Sequence, residues 1–143
     1  MTRSQAGRFV KQKTDWIRAR QLVLQREPTL PPAGPERESL KKQAVEKFRK
    51  LSLPWERRFK ERYGVAPRRW TVRLMDTRWG SCSFKTGRIT LNVRLFYKPL
   101  ECIEYVIVHE LCHLIEQAHD KNFYDLLTKE LPDWKSRRKK LND

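Results

Sequence analysis

The chain has 143 residues, enough for one domain with a modest core, and 38% of them are hydrophobic, which argues against wholesale disorder. Lys and Arg number 32 against 17 Asp and Glu, and the resulting net charge of +15 favours contact with polyanions without specifying one. Three cysteines, never spaced as C-x-x-C, argue against a disulfide framework or a zinc ribbon. No apolar run is long enough to span a bilayer and no secretory signal is evident, so a soluble, cytoplasmic protein is expected.

The positive charge is concentrated in the N-terminal half. Residues 1–75 carry a net charge of +13, residues 76–119 are neutral, and residues 120–143 carry +2. Non-specific contact with nucleic acid or another polyanion is therefore expected through the N-terminal half.

Residues 9–26 are predicted to form a basic amphipathic helix. Apolar side chains recur there at a spacing of seven in two sets, Phe9, Trp16 and Val23, and Val10, Ile17 and Leu24. Four prolines and a glycine follow within residues 27–35 and predict a linker, because proline lacks the amide donor that a helix needs. Residues 1–35 are accordingly expected to stand apart from a domain over residues 36–143.

That domain is expected to begin with a helix and continue with strands. Helical periodicity starts at Glu36, Pro54 either kinks this helix or opens another, and Gly64 is a plausible stop. Alternating apolar and polar residues predict a strand over residues 70–74. Two further strands, over residues 79–84 and 88–95, are separated by a glycine turn and predict a β-hairpin.

An apolar helix is predicted over residues 100–117. Pro99 stands where a missing amide hydrogen costs nothing, and the apolar side chains cover more of the helix than a surface stripe would, so the helix should be buried. The pattern breaks at residues 118–120, where Asp120 can cap a further amphipathic helix. Pro132 separates that helix from a short basic tail helix. The elements together predict an α+β fold.

The buried helix contains an H-E-x-x-H arrangement, His109-Glu110-Leu111-Cys112-His113. Residues four apart lie one turn apart on one helical face, so the two imidazoles can bind one zinc ion. Glu110 lies beside that face, where its carboxylate can take a proton from a zinc-activated water and pass it to the leaving group. Glu110 is therefore the predicted catalytic residue.

A third metal ligand is needed, and His119 lies six residues beyond His113, after the helical periodicity fades. The overall spacing equals that of the metzincin peptidases, but Glu116 replaces their glycine and no methionine turn follows, so this is not a metzincin proper. Glu116 is a poor ligand because it lies about 10 Å from His109 along a continuous helix. Glu130, on the following helix, is the alternative ligand.

These residues also have structural explanations. A buried histidine pair can be hydrogen-bonded in a core, and Glu110 can form a structural ion pair. Metal binding is favoured because all three histidines of the chain fall within eleven residues, two of them on a very apolar helix. Cys112 is expected to be a small core residue rather than a ligand. One zinc ion per chain is the predicted cofactor.

Three blocks of sequence carry a resemblance to a known family: TRWGSCS at 77–83, GRITLNVRL at 87–95 and YVIVHELCHL at 105–114, followed by His119, Phe123 and PDWKSRRKKL. Over about residues 9–143 the chain resembles the YgjP-like metal-dependent hydrolases, relatives of the SprT-like and other zincin peptidases. The resemblance implies an α+β, zincin-like domain with a small antiparallel hairpin or sheet packed on the active-site helix and with amphipathic helices N-terminal to it. It also implies zinc at His109, His113 and His119, with Glu110 as general base.

The chain departs from the family pattern in two places. Members usually begin with additional strands, and they have Asn-His-Ser where this chain has Ala118-His119-Asp120. The resemblance also places Arg78 near the metal, where it either stabilises an oxyanion or pins the hairpin to the helix. Asn92 is likewise either a substrate contact or a structural residue.

Three functions are considered. The first is a zinc metallopeptidase whose extended peptide substrate pairs with the hairpin edge. The second is a metal-dependent nucleotide phosphohydrolase, although no glycine-rich phosphate loop or carboxylate cluster is present. The third is a basic nucleic-acid-binding module with structural zinc, and it can combine with the first in a peptidase acting on nucleic-acid-bound proteins.

Overall fold

The computed structural model describes residues 30–143. The predicted helix over residues 9–26 and the first part of the predicted linker lie outside the described residues. Within residues 30–143, no helix is both long and apolar enough to cross a membrane.

The described part of the chain forms four α-helices and three short strands. The helices are α1 (Pro35–Tyr63), α2 (Leu100–Cys112), α3 (Lys121–Glu130) and α4 (Trp134–Asn142). The strands are β1 (Arg69–Arg73), β2 (Gly80–Ser83) and β3 (Arg88–Asn92), and a 3-10 helix, Val93–Tyr97, follows β3. The α+β class predicted from the sequence is confirmed.

Helix α1 is long and amphipathic. It buries one apolar stripe, Leu40, Ala44, Phe48 and Phe59, and it runs through Pro54 without ending. It stops at Gly64, whose φ of 69° lies in the left-handed region that glycine adopts without a steric penalty. The predicted helix stop at Gly64 is thus confirmed, and α1 is one helix rather than two.

The three strands form a mixed sheet in the order β1-β3-β2. Strands β2 and β3 pair antiparallel as the predicted hairpin, with Gly87 at φ 71° in the turn. Strand β1 pairs with β3 in parallel, a partner that the sequence pattern did not predict. The connection from β1 to β2 crosses the end of β3, so β1 and β2 lie on opposite edges of the sheet.

Helix α2 is the centre of the core. Ten of its residues are buried, from Cys102 to Cys112, and the helix contacts α1, α3, α4 and the strands β2 and β3. It begins after Pro99, as predicted. A helix buried on nearly every side is a rigid support for polar side chains at its C-terminal end, where the H-E-x-x-H residues lie.

Candidate metal centre

Helix α2 ends at Cys112, five residues before the predicted end at residue 117. The amides of Leu114 and Ile115 bond to carbonyls three residues back, both at 3.0 Å, so the chain tightens and leaves the helix. The prediction of the end was wrong because Leu114 and Ile115 continue the apolar pattern after the helical backbone has stopped. This early end allows residues 116–120 to return toward the helix.

The returning chain brings His119 against His109 and His113. The Nε2 atom of His119 lies 3.2 Å from Nε2 of His109 and 3.0 Å from Nε2 of His113. The ligand atoms of the three histidines all lie within 4.8 Å of one another. Among the His, Cys and acidic side chains of residues 30–143, these three histidines lie close enough together to share one metal ion.

The rings are oriented through their other nitrogens. The Nδ1 atom of His113 lies 3.0 Å from the carbonyl oxygen of Glu116. A carbonyl oxygen only accepts, so this Nδ1 carries the proton and Nε2 presents its lone pair to the other histidines. Nδ1 of His109 lies 3.4 Å from the hydroxyl oxygen of Tyr105, which is buried on the preceding turn of α2. Glu116 therefore contributes to the site through its backbone carbonyl, which orients the His113 ring.

Phe123 and Asp120 hold the returning segment in place. The Phe123 ring is fully buried, stacks on His113 with ring centroids 4.4 Å apart, and meets His109 and His119 by their edges. Asp120 caps α3 by accepting a 3.1 Å hydrogen bond from the Phe123 amide, which confirms its predicted role. The cap fixes the start of α3, and with it the position of His119.

This arrangement fits a tetrahedral zinc ion. With Zn–N bonds of about 2.0–2.1 Å, two ligand nitrogens in a tetrahedral shell lie about 3.3 Å apart. The observed separations of 3.0 and 3.2 Å are close to that value. Three imidazole nitrogens facing one another over an apolar ring are also the donor set that zinc prefers. Three protein ligands leave a fourth position for water or substrate.

Glu110 is buried, with 3% of its surface exposed, and lies against β2. A Cβ atom built on Gly80 of β2 would lie 3.0 Å from Glu110 Oε2 and 3.0 Å from Val106 Cγ1. Gly80 does not adopt a positive φ, so its backbone conformation is open to any residue. Glycine is therefore favoured at this position because it has no side chain, which leaves room for the Glu110 carboxylate to lie directly on the strand.

The two other candidate ligands lie elsewhere. Glu130 is buried and pairs with Arg58 and Arg62 at 3.0 Å each, while the Tyr63 hydroxyl donates to it at 2.6 Å. Burial, and then the Glu130 carboxylate, raise the pKa of Tyr63 to about 12. Glu130 thus ties α3 to α1 and does not join the histidines. Cys112 is fully buried, and burial raises the pKa of its thiol well above its usual range, consistent with the predicted core residue.

Asn92 makes four hydrogen bonds within the protein. It is fully buried, and its amide nitrogen donates to the carbonyls of Met75 and Arg78 at 2.8 Å each. Its side-chain oxygen accepts from the Arg94 amide at 3.1 Å and from the Met75 amide at 3.4 Å. These bonds occupy both ends of the side chain and support the structural alternative for Asn92, while a substrate contact remains a prediction. Asn92 holds the connection from β1 to β2 across the end of β3.

Arg78 lies on that same connection, and its side chain is exposed. Its backbone carbonyl is the atom held by Asn92, so the backbone of this residue is fixed while the guanidinium extends into solvent. A contact with substrate remains a prediction for Arg78.

Sequence reasoning missed two contributions to the site, the space at Gly80 and the carbonyl of Glu116. A glycine inside a predicted strand is a recognised sign of close approach by another group, so Gly80 carried a usable signal. The Glu116 carbonyl carried none, because every residue has a carbonyl and its position depends on where α2 ends.

The family model of the YgjP-like metallopeptidase domain matches residues 33–143 of the chain. The chain belongs to the YgjP-like family. The expected resemblance is thereby confirmed over most of the chain, and membership of a metallopeptidase family implies a divalent metal, typically zinc. No curated protein matches the sequence.

The YgjP-like chain is also similar to two solved structures of metallopeptidase zymogens. Abylysin of Pyrococcus abyssi is 25% identical, with a TM-score of 0.51 and coverage of 66% of this chain and 87% of that chain. Jannalysin of Methanocaldococcus jannaschii is 20% identical, with a TM-score of 0.45 and coverage of 70% and 89%. The likeness to abylysin supports the zincin-like, α+β fold.

Proposed function

We propose that this YgjP-like chain is a zinc metallopeptidase that hydrolyses peptide bonds. The observation that carries the proposal is the convergence of three histidine nitrogens within 4.8 Å beside a buried glutamate on the same helix. Family membership supports the reaction class. His109, His113 and His119 would hold one zinc ion, which acts as a Lewis acid toward water and toward a substrate carbonyl.

Glu110 is the proposed general base. Its carboxylate is one residue from His109, is shielded from bulk solvent, and is kept in place by the contact with Gly80. It accepts the proton of the attacking water and then donates that proton to the departing amine. Because the side chain packs on a strand and not in open solvent, the carboxylate needs little reorganisation during the reaction.

The proposed substrate is an extended peptide. Strand β2 is an edge of the three-stranded sheet, and its first residue, Gly80, is the one that touches Glu110. A peptide pairing with the main chain of β2 would pass directly beside the carboxylate. Arg78, exposed and two residues before β2, is proposed to contact the substrate or the developing oxyanion. Residues 36–143 are the proposed catalytic unit and residues 1–35 an accessory segment.

The test is a substrate screen with the full chain loaded with one equivalent of zinc. We expect cleavage of an unbiased peptide library, read as new termini by mass spectrometry, that stops with a chelator and returns with added zinc. A parallel arm measures phosphate and pyrophosphate release from nucleotides. Release from nucleotides without any peptide cleavage would overturn the proposal in favour of a phosphohydrolase.

A further inference from the structure

The two faces of the sheet differ in chemistry. The residues in register with Gly80 face the helices, since Gly80 itself touches Glu110 of α2. The opposite side, here called the outer face, is polar: it carries Arg69, Thr71, Arg73, Ser81, Ser83, Arg88, Thr90 and Asn92. The hydroxyls of Thr71 and Thr90 lie 2.8 Å apart across this face, which confirms that residues in register share a side.

Two arginines oppose each other on the outer face. Arg69 of β1 and Arg88 of β3 are partners in the strand register, and both side chains are exposed. Like charges directly opposite one another destabilise a sheet. Lys85, also exposed, lies in the turn at the same end of the sheet and adds a third positive charge. This grouping is unfavourable for folding and favourable for binding an anion.

The segment of sequence that forms the sheet contributes little negative charge. Residues 64–99, which contain the whole sheet, carry eight Arg and Lys and a single acidic residue, Asp76. Asp76 lies 3.8 Å from Arg94, on the connection beyond the other end of β3. The hairpin end of the outer face therefore carries Arg69, Arg88 and Lys85 without an acidic residue from residues 77–99 beside them in the sequence.

An exposed aromatic residue lies in the turn at the same end of the sheet. Phe84 follows Ser83 in the hairpin turn, next to Lys85, and half of its surface (50%) is exposed. Cationic side chains that follow a phosphate backbone, combined with an exposed ring on which a base can stack, are the features with which proteins bind single strands. A single ring without further apolar side chains is a poor anchor for a membrane surface.

We propose that the hairpin end of the outer face binds single-stranded nucleic acid. Arg69, Arg88 and Lys85 bind successive phosphates, and Phe84 stacks on a base. The site lies on the side of the sheet opposite Glu110, so a nucleic acid and a peptide can be bound at the same time. The surface differs from the polyanion contact expected of the N-terminal half, because only Arg69 of these residues lies within residues 1–75.

The test measures the affinity of the full chain for fluorescein-labelled dT20 and rU20 by anisotropy over a range of salt concentrations. The double variant R69Q/R88Q should weaken binding about tenfold and reduce the slope of log Kd against log salt by about 1.4, because two phosphate contacts are lost. The variant F84A should weaken binding about tenfold with an unchanged slope, because stacking is insensitive to salt. The tighter of the two probes identifies DNA or RNA as the ligand.

The matched control is K41Q/K42Q, which removes the same charge from exposed positions on α1. It should leave Kd within about twofold. The melting temperature of R69Q/R88Q should be unchanged or raised, since a like-charge pair is removed. Equal losses in both double variants would overturn the proposal, because affinity would then follow net charge alone. Binding to phosphatidylserine vesicles but to neither oligonucleotide would also overturn it.

Discussion

Replacing Glu110 with glutamine is expected to lower kcat for peptide hydrolysis by about 10²- to 10⁴-fold, the usual contribution of a general acid-base group. The amide has nearly the same shape as the carboxylate but cannot accept a proton from water. Because Glu110 is not one of the three converging histidines, zinc should stay bound at one equivalent. The measurement is kcat by a quenched fluorescent peptide, together with zinc content by mass spectrometry.

A matched control is available on the same helix. Glu101 lies at the N-terminal end of α2, pairs with Lys140, and is far along the helix from the histidines. The variant E101Q should keep kcat within about twofold of wild type. If E110Q retained wild-type activity with zinc bound, Glu110 would be a structural residue and the proposed mechanism would be wrong.

Adding a methyl group at Gly80 is expected to lower kcat about tenfold. The new Cβ atom would lie 3.0 Å from both Glu110 Oε2 and Val106 Cγ1, so the carboxylate must shift away from the strand. The neighbours must move by a few tenths of an ångström. A misplacement of about 1 Å would cost about 10²-fold, so the smaller shift is expected to cost about tenfold. KM and zinc content should change little, because neither the histidines nor the free edge of β2 is altered. Steady-state kinetics of G80A at saturating zinc gives both constants.

A second variant separates positioning from a general loss of structure. Aspartate at position 110 is one methylene shorter and relieves the contact between the added methyl and the carboxylate, while the contact with Val106 stays. G80A should therefore lower kcat less in an E110D background than in wild type. The control G64A alters a glycine with open space around it but a φ of 69°, and should lower stability without lowering kcat. Equal losses from G80A in both backgrounds would contradict a positioning role.

Much of the fold follows from short-range patterns in the sequence. The Gly64 stop, the hairpin with Gly87 in its turn, the helix start after Pro99 and the Asp120 cap each depend on local backbone chemistry, and each is observed. The parallel pairing of β1 with β3 was not predicted, because it depends on how the connection crosses the sheet. Asn92 fixes that crossing, and no local pattern distinguishes such a residue from a substrate contact.

Part of the candidate site could also be predicted from short-range patterns in the sequence. Helical spacing brings His109 and His113 together, and clustering in the sequence indicated His119. The position of His119, however, depends on α2 ending at Cys112. This end was not predicted, because the residues after Cys112 continue the apolar pattern of the helix. The alternative ligand Glu130 could not be rejected from sequence, because its pairing with Arg58 and Arg62 joins residues about seventy positions apart. The boundary between residues 1–35 and 36–143 remains a prediction.

The most direct test of a catalytic zinc on three histidines is X-ray absorption at the zinc edge of the full chain loaded with one equivalent of metal. The expected spectrum has three imidazole nitrogens at about 2.0–2.1 Å and one further oxygen at a similar distance. The H119A variant should bind zinc more weakly, and its spectrum should show one imidazole nitrogen fewer. A sulfur atom at about 2.3 Å, or an unchanged spectrum in H119A, would contradict the assignment of the site.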